Sequence, residues 1–259
     1  MSNETAILQS ESACSGHVQE GLTFSESAPA AALPDGLDLL ETDAGLTLAG
    51  DGMTLRADFS EMIPRIKQGR LQQELLVRAA KIKGAEEPLA VDATAGFGQD
   101  SLLLAAAGFR VLLFERNPVI AALLRDALRR AASVPELADA IARMCFIEGD
   151  SVAALNGMGS VDDGAHAGGA LRQPDVVYLD PMFPARTKSA AVKKKFQLLH
   201  HLEQPCEDPD AMLHAALAAK PRKIVVKRPP KGPYLANVKP SYSLAGKAVR
   251  YDVIVPPRG

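Results

Sequence analysis

Val91-Asp92-Ala93-Thr94-Ala95-Gly96-Phe97-Gly98 closes an apolar run of strand length with an acid, turns on two glycines and leads into an apolar helical stretch. A strand over 89–93, a glycine turn and a helix over 100–107 form the opening unit of an α/β sheet. The following residues repeat the alternation. Strands are expected at 111–115, 144–148, 176–179 and 224–227, and helices at 118–131, 188–202 and 210–219. The run Val176-Val177-Tyr178-Leu179 is apolar throughout, which suits a parallel strand covered on both faces. A last alternation over 248–255 is expected to add an edge strand, and 156–173, rich in Gly, Asp and Ala, reads as a surface loop. The fold class is therefore α/β, a mostly parallel sheet with helices on both faces.

Upstream, Leu46-Thr47-Leu48 and Met53-Thr54-Leu55 are short alternations separated by Gly50-Asp51-Gly52, a strong turn signal. They predict a small β-hairpin or meander, followed by a helix over 63–82 that stops at Gly84. Residues 1–34 are rich in Ser, Glu and Ala without periodicity. The expected organisation is a flexible tail over 1–34, a small β-hairpin and helix subdomain over 35–84, and the main domain over 85–259.

With 259 residues, 47% of them hydrophobic, the chain can bury one large α/β core plus a small appendage. The first twelve residues are polar and acidic, unlike a secretory signal, and no run approaches membrane-spanning length. A cytoplasmic protein without a membrane partner is expected. Cys14, Cys145 and Cys206 lack paired spacing and are expected to be ordinary thiols, and the histidines lack ligand spacing, so no metal is anticipated. The formal net charge of -2 conceals an asymmetry. Up to Asp180 there are 14 basic and 26 acidic residues; beyond it there are 15 basic and 5 acidic. Lys188, Lys193, Lys194, Lys227, Arg228 and Lys231 lie in the basic part, as candidates for contact with a polyanion such as RNA; any one cluster alone reads equally as a solvated face.

The chemistry-bearing residues fall at strand ends. Gly96 and Gly98 let a ligand approach the backbone where a Cβ would clash, and free N–H groups open the helix beyond them. Ser101 stands where a dinucleotide fingerprint needs a third glycine, so a nucleotide-like cofactor is favoured over a pyrophosphate-linked one. Glu115, at the end of the second strand, is placed to accept ribose hydroxyls. Asp150 and Ser151 are placed for an adenine edge, and read equally as a helix cap. Asp180-Pro181-Met182-Phe183-Pro184 joins a carboxylate, a rigid turn and an aromatic ring, a combination suited to a flat, amine-bearing group. An aryl amine is a poor nucleophile, and acceptors for its hydrogens, Asp180 and the Pro181 carbonyl, localise its lone pair while Phe183 stacks on the ring. Together the three segments describe a methyltransferase.

Asp92-Ala93-Thr94-Ala95-Gly96-Phe97-Gly98-Gln99-Asp100, Phe114-Glu115-Arg116-Asn117-Pro118 and Tyr178-Leu179-Asp180-Pro181-Met182-Phe183-Pro184 resemble the RsmJ family, and the likeness runs from about Asp58 to Val255. The resemblance implies a Rossmann-like, class I enzyme using S-adenosylmethionine. Its implied activity is methylation of a guanine N2 near the 3′ end of 16S rRNA in the small ribosomal subunit. It places Gln99, Asp100, Glu115, Arg116, Asp150, Ser151 and Asp180 on the donor, beside Asp92, Gly96 and Gly98 of the glycine turn. Gln99 departs from a frequent Arg, and Asp150 stands where the family can carry Ser. Two other readings are a methyltransferase of a protein glutamine side chain and a non-catalytic RNA-binding module with the same fold. The basic C-terminal part disfavours the first, and the intact acidic positions disfavour the second.

Overall fold

The computed structural model describes residues 33–158, 172–182, 198, 202 and 208–257. Three short strands, β1 (Leu37–Thr42), β2 (Gly45–Gly50) and β3 (Met53–Leu55), form an antiparallel meander. The expected single helix over 63–82 is instead two short helices, α1 (Ile63–Ile66) and α2 (Leu75–Ala80), with a 3-10 turn at Leu71–Gln73 between them. Lys67 (ψ 141°), Gly69 (φ +90°) and Glu74 (ψ 126°) interrupt the helix, which the spacing of apolar residues alone does not reveal.

The main sheet takes β4 (Leu89–Asp92), β5 (Arg110–Glu115), β6 (Met144–Glu148), β7 (Val176–Leu179), β8 (Lys223–Arg228), β9 (Tyr242–Ala245) and β10 (Arg250–Ile254), in the spatial order β6-β5-β4-β7-β8-β10-β9. β4 to β8 run parallel, and β10 is antiparallel to β8 and to β9. The edge strand is therefore β9, and the last strand lies inside it. The correction follows from pairing: β9 and β10 form a hairpin, and only β10, with Tyr251 and Val253 buried, has the apolar content of an inner strand.

The helices are α3 (Gln99–Ala106), α4 (Pro118–Ala131), α5 (Pro135–Ile141), α6 (Ser151–Met158) and α7 (Pro209–Ala218). α4 begins where the sequence requires it, with Asn117 Oδ1 accepting from Val119 N and Ile120 N and Pro118 in the first turn. Successive β7 residues point to opposite faces: Val176 and Tyr178 join the core of α3, α4 and α5, and Val177 and Leu179 that of α6 and α7. The meander shares the first of these cores through Leu37, Leu48 and Leu55. It is tied to α4 by Leu46 N donating to Asp126 Oδ2 at 3.0 Å, a carboxylate that also accepts from Arg129 and Arg130. Cys145 on β6 is disulfide-bonded, which corrects the expectation of three free thiols. Among the described residues, no helix is long and apolar enough to cross a membrane, and no cluster of three or more His, Cys, Asp or Glu side chains is arranged to hold a metal ion.

Candidate active site

Parallel strands deliver their carboxyl ends to one edge of the sheet, and the loops leaving β4, β5, β6 and β7 surround one cavity of about 880 Å³. Asp92, the last residue of β4, is 1% exposed; its Oδ1 accepts from Thr94 N at 3.0 Å and its Oδ2 from Ser101 Oγ at 2.6 Å. Burial pushes its carboxyl up to about 7, against the lowering effect of those two donors. Asp92 thus shapes the turn from beneath. Gly96 (φ +52°) and Gly98 (φ +71°) both take left-handed backbone, and a Cβ at 98 would lie 2.9 Å from Leu124 Cδ1 and 3.2 Å from Phe59 Cζ.

Glu115 terminates β5 and faces that turn. Gly96 N donates to its Oε2 at 3.1 Å and Asn117 N to its Oε1 at 2.7 Å. The Arg116 backbone N–H also acts on this carboxylate, and with about four lone-pair sites on its two oxygens it keeps capacity for a ligand hydroxyl. Burial raises the pKa of Glu115, partly offset by these backbone donors. On the next loop, Asp150 Oδ1 accepts from Val152 N at 2.9 Å as the cap of α6, and Ser151 is buried beside it. Asp150 thus caps α6, and both Asp150 and Ser151 line the cavity.

The far wall is built by β7 and β8. Asp180 N donates to Thr94 Oγ1 at 2.7 Å, joining the turn after β7 to the glycine turn after β4. The Lys227 ammonium bridges two carboxylates, 2.7 Å from Asp100 Oδ2 and 2.8 Å from Asp180 Oδ2, and Tyr178 OH donates to the same Asp100 oxygen at 2.6 Å. Burial works against the Lys227 charge, but Asp100 and Asp180 outweigh it and hold its pKa above the usual lysine value. For Asp180 burial dominates, raising its pKa, while Lys227 pulls it back down.

The cavity brings together Asp92, Gly96, Gln99, Asp100, Glu115, Arg116, Asp150, Ser151, Asp180 and Pro181. Gly98 supports it from below, packed toward Leu124 and Phe59. Phe183, Lys188, Lys193 and Lys194 lie outside the described residues. Lys227 and Arg228, expected to reach RNA phosphates, are turned inward: Lys227 lines the cavity, and Arg228 is 2% exposed, its pKa lowered by burial. Lys231 is exposed. Sequence reasoning missed Thr94, Ser101 and Tyr178 as the framework of the site. Tyr178 carried a signal, since a hydroxyl inside an apolar strand needs a partner at its tip.

A glycine turn open to a ligand, a strand-end glutamate with lone pairs to spare and a capped third loop fit an adenosine-type donor, and the cavity is of ligand size. With the sheet order, they define a Rossmann-like methyltransferase of the S-adenosylmethionine-dependent class. A family model described as "Putative SAM-dependent methyltransferase" matches residues 34–256. The "Ribosomal RNA small subunit methyltransferase J" of Thioalkalivibrio sulfidiphilus is 45% identical over 71% of this chain and 69% of its own length. The protein of the same name from Nitrosococcus oceani is 43% identical over 78% of this chain and 76% of its own. The crystal structure of a SAM-dependent methyltransferase from Neisseria gonorrhoeae superposes with a TM-score of 0.67 at 31% identity, covering 88% of this chain and 86% of that one. The chain belongs to the ribosomal RNA small subunit methyltransferase J, or RsmJ, family. Its cofactor is S-adenosylmethionine.

Proposed function

We propose that the protein methylates the exocyclic N2 amine of a guanosine near the 3′ end of 16S rRNA, acting in the cytoplasm on the small ribosomal subunit or its RNA. The observation that carries this reading is the Asp180 carboxylate at the end of β7, across one cavity from Glu115 and the glycine turn. The relatives' names support the RNA.

Bound S-adenosylmethionine supplies a methyl group on a sulfonium centre. Glu115 holds the ribose hydroxyls, Asp150 and Ser151 the adenine edge, and Gln99, Asp100 and Arg116 complete the donor side. Asp180 Oδ and the Pro181 carbonyl accept the two hydrogens of the amine, which turns the nitrogen lone pair out of conjugation with the ring. Lys227 favours the ionised form of Asp180 against the effect of burial, and that form serves the task because a neutral carboxyl would offer a proton where an acceptor is needed. Pro181 limits the turn to few backbone states, so little reorganisation precedes each turnover. Phe183 is assigned to stack on the purine from its place in the sequence. After transfer the nitrogen sheds one proton to Asp180 or to solvent.

The test is incubation of the protein and donor with small subunits lacking the modification, followed by nucleoside mass spectrometry of the digested rRNA. N2-methylguanosine is expected. Its absence, with the methyl group elsewhere or nowhere, rejects the reading.

A further inference from the structure

Beyond Arg228 the chain turns at Pro229 and Pro230 and exposes a surface for which methyl transfer itself has no use. Tyr234 there is 40% exposed, and the Arg250 guanidinium carbon stands 5.2 Å from the centre of its ring. Arg250 is fixed on every side. Its Nε and NH2 donate to Asp252 Oδ1 and Oδ2, both at 2.8 Å, its NH1 to Pro230 O at 2.9 Å and its NH2 also to Gly232 O at 3.1 Å. The cation therefore pins the proline turn to β10 and backs the aromatic ring. The adjacent Leu235 is buried, and Ala236 and Asn237 follow with φ of +49° and +55°. Two successive non-glycine residues in that region persist only where the surroundings enforce them. The ring is thus held rigidly at the surface.

Its position relative to the cavity follows from the register. Arg250 pairs with Arg228, next to Lys227, whose ammonium meets Asp180. In the order β5-β4-β7-β8-β10, Tyr234 and Arg250 stand on the β8–β10 side of Asp180, and Glu115 and the glycine turn stand on the other. Residues 229–250 hold four basic residues, Lys231, Lys239, Lys247 and Arg250, and no acidic one.

We propose that Tyr234, backed by Arg250, is a stacking platform for an unpaired nucleotide that flanks the target base. The proposal rests on the rRNA reading above. A base cannot reach a cavity at the strand ends while stacked in a helix, so it must be turned out, and its neighbour then loses a stacking partner. A rigid tyrosine ring on the acceptor side of the cavity replaces that partner at low entropic cost, and the exposed Lys231 and Lys239 of the same segment suit the phosphates on either side.

The test measures methylation of unmodified small subunits by the full-length Tyr234→Ala and Tyr234→Phe proteins, with donor affinity and melting temperature in parallel. For Tyr234→Ala the KM for RNA is expected to rise by about 5- to 150-fold, the equivalent of 1–3 kcal/mol for one stacked base, with kcat and donor Kd nearly constant. Tyr234→Phe, which keeps the ring, recovers most of the loss. The proposal is overturned by an unchanged KM in Tyr234→Ala. It is equally overturned if Phe is as poor as Ala, or if donor affinity and melting temperature fall together with RNA affinity. A wild-type protein that leaves rRNA unmethylated refutes the earlier reading, and this one with it; a wild type that methylates while Tyr234→Ala matches it refutes this one alone.

Discussion

Replacing Lys227 by Met keeps the aliphatic stem in place and removes the cation from between Asp100 and Asp180. At the 2.8 Å separation from Asp180, unit charges attract by about 1.5 kcal/mol at the dielectric of water and about 6 kcal/mol at that of a partly buried site. The two side chains are 31% and 38% exposed, which places the interaction toward the lower figure, at about 2 kcal/mol. That corresponds to about 1.5 pH units in the Asp180 carboxyl. The direction is fixed: losing the ammonium disfavours the ionised carboxylate, whose pKa burial already raises, so it rises further. If the ionised form is the working acceptor, the acidic limb of the kcat/KM profile moves to higher pH by about 1–2 units in Lys227→Met, and the two enzymes converge at alkaline pH. The assay is methylation of unmodified subunits between pH 5.5 and 9.5 at fixed ionic strength. An acidic limb that stays in place would refute the reasoning. If Lys227 instead neutralised an RNA phosphate, the substitution would raise KM at every pH and flatten the salt dependence of binding.

Asp180→Ala is expected to lower single-turnover kcat by about 100-fold or more at saturating donor and RNA, the scale of losing one oriented polar group at a reacting centre; a rate within threefold of wild type would exclude the acceptor role. Glu115→Gln is expected to weaken donor binding by about 10- to 100-fold, since hydrogen bonds to a charged acceptor contribute roughly 1.5–3 kcal/mol; isothermal titration showing an unchanged Kd would remove Glu115 from the ribose. Asp92 holds its proton up to about 7 in the folded chain against an ordinary 3.8. Its contribution to stability is complete below about pH 4 and is lost as pH rises to about 7, by at most roughly 4 kcal/mol. Asp92→Asn should flatten the melting temperature across that window, and an unaltered slope would show that another group is responsible.

Much of the central architecture was legible because it depends on local patterns. The continuous apolar runs of β6 and β7 and the Asn117-Pro118 start of α4 fixed those elements at their observed bounds. α5 and α6 were not legible. α5 is short, and α6 contains Asn156 and Gly157, residues that read as loop until Leu155 and Met158 are seen to be buried. The order of β9 and β10 depends on which strand β8 accepts, a matter of tertiary pairing. In the site, the strand-end acids were legible because ligands of parallel sheets gather at carboxyl ends. Lys227 was not, because its charge is spoken for by Asp100, 127 residues away in sequence, and a lysine followed by Arg228-Pro229-Pro230-Lys231 looks like a solvated basic patch.

The hydroxyl of Thr94 lies on the glycine turn after β4 and takes its hydrogen bond from the backbone at Asp180, on the turn after β7. That bond ties the two loops together, so a backbone shift in one is resisted by the other. A redesign of the Asp180 loop that displaces its backbone would break this bond and release the Thr94 loop with it.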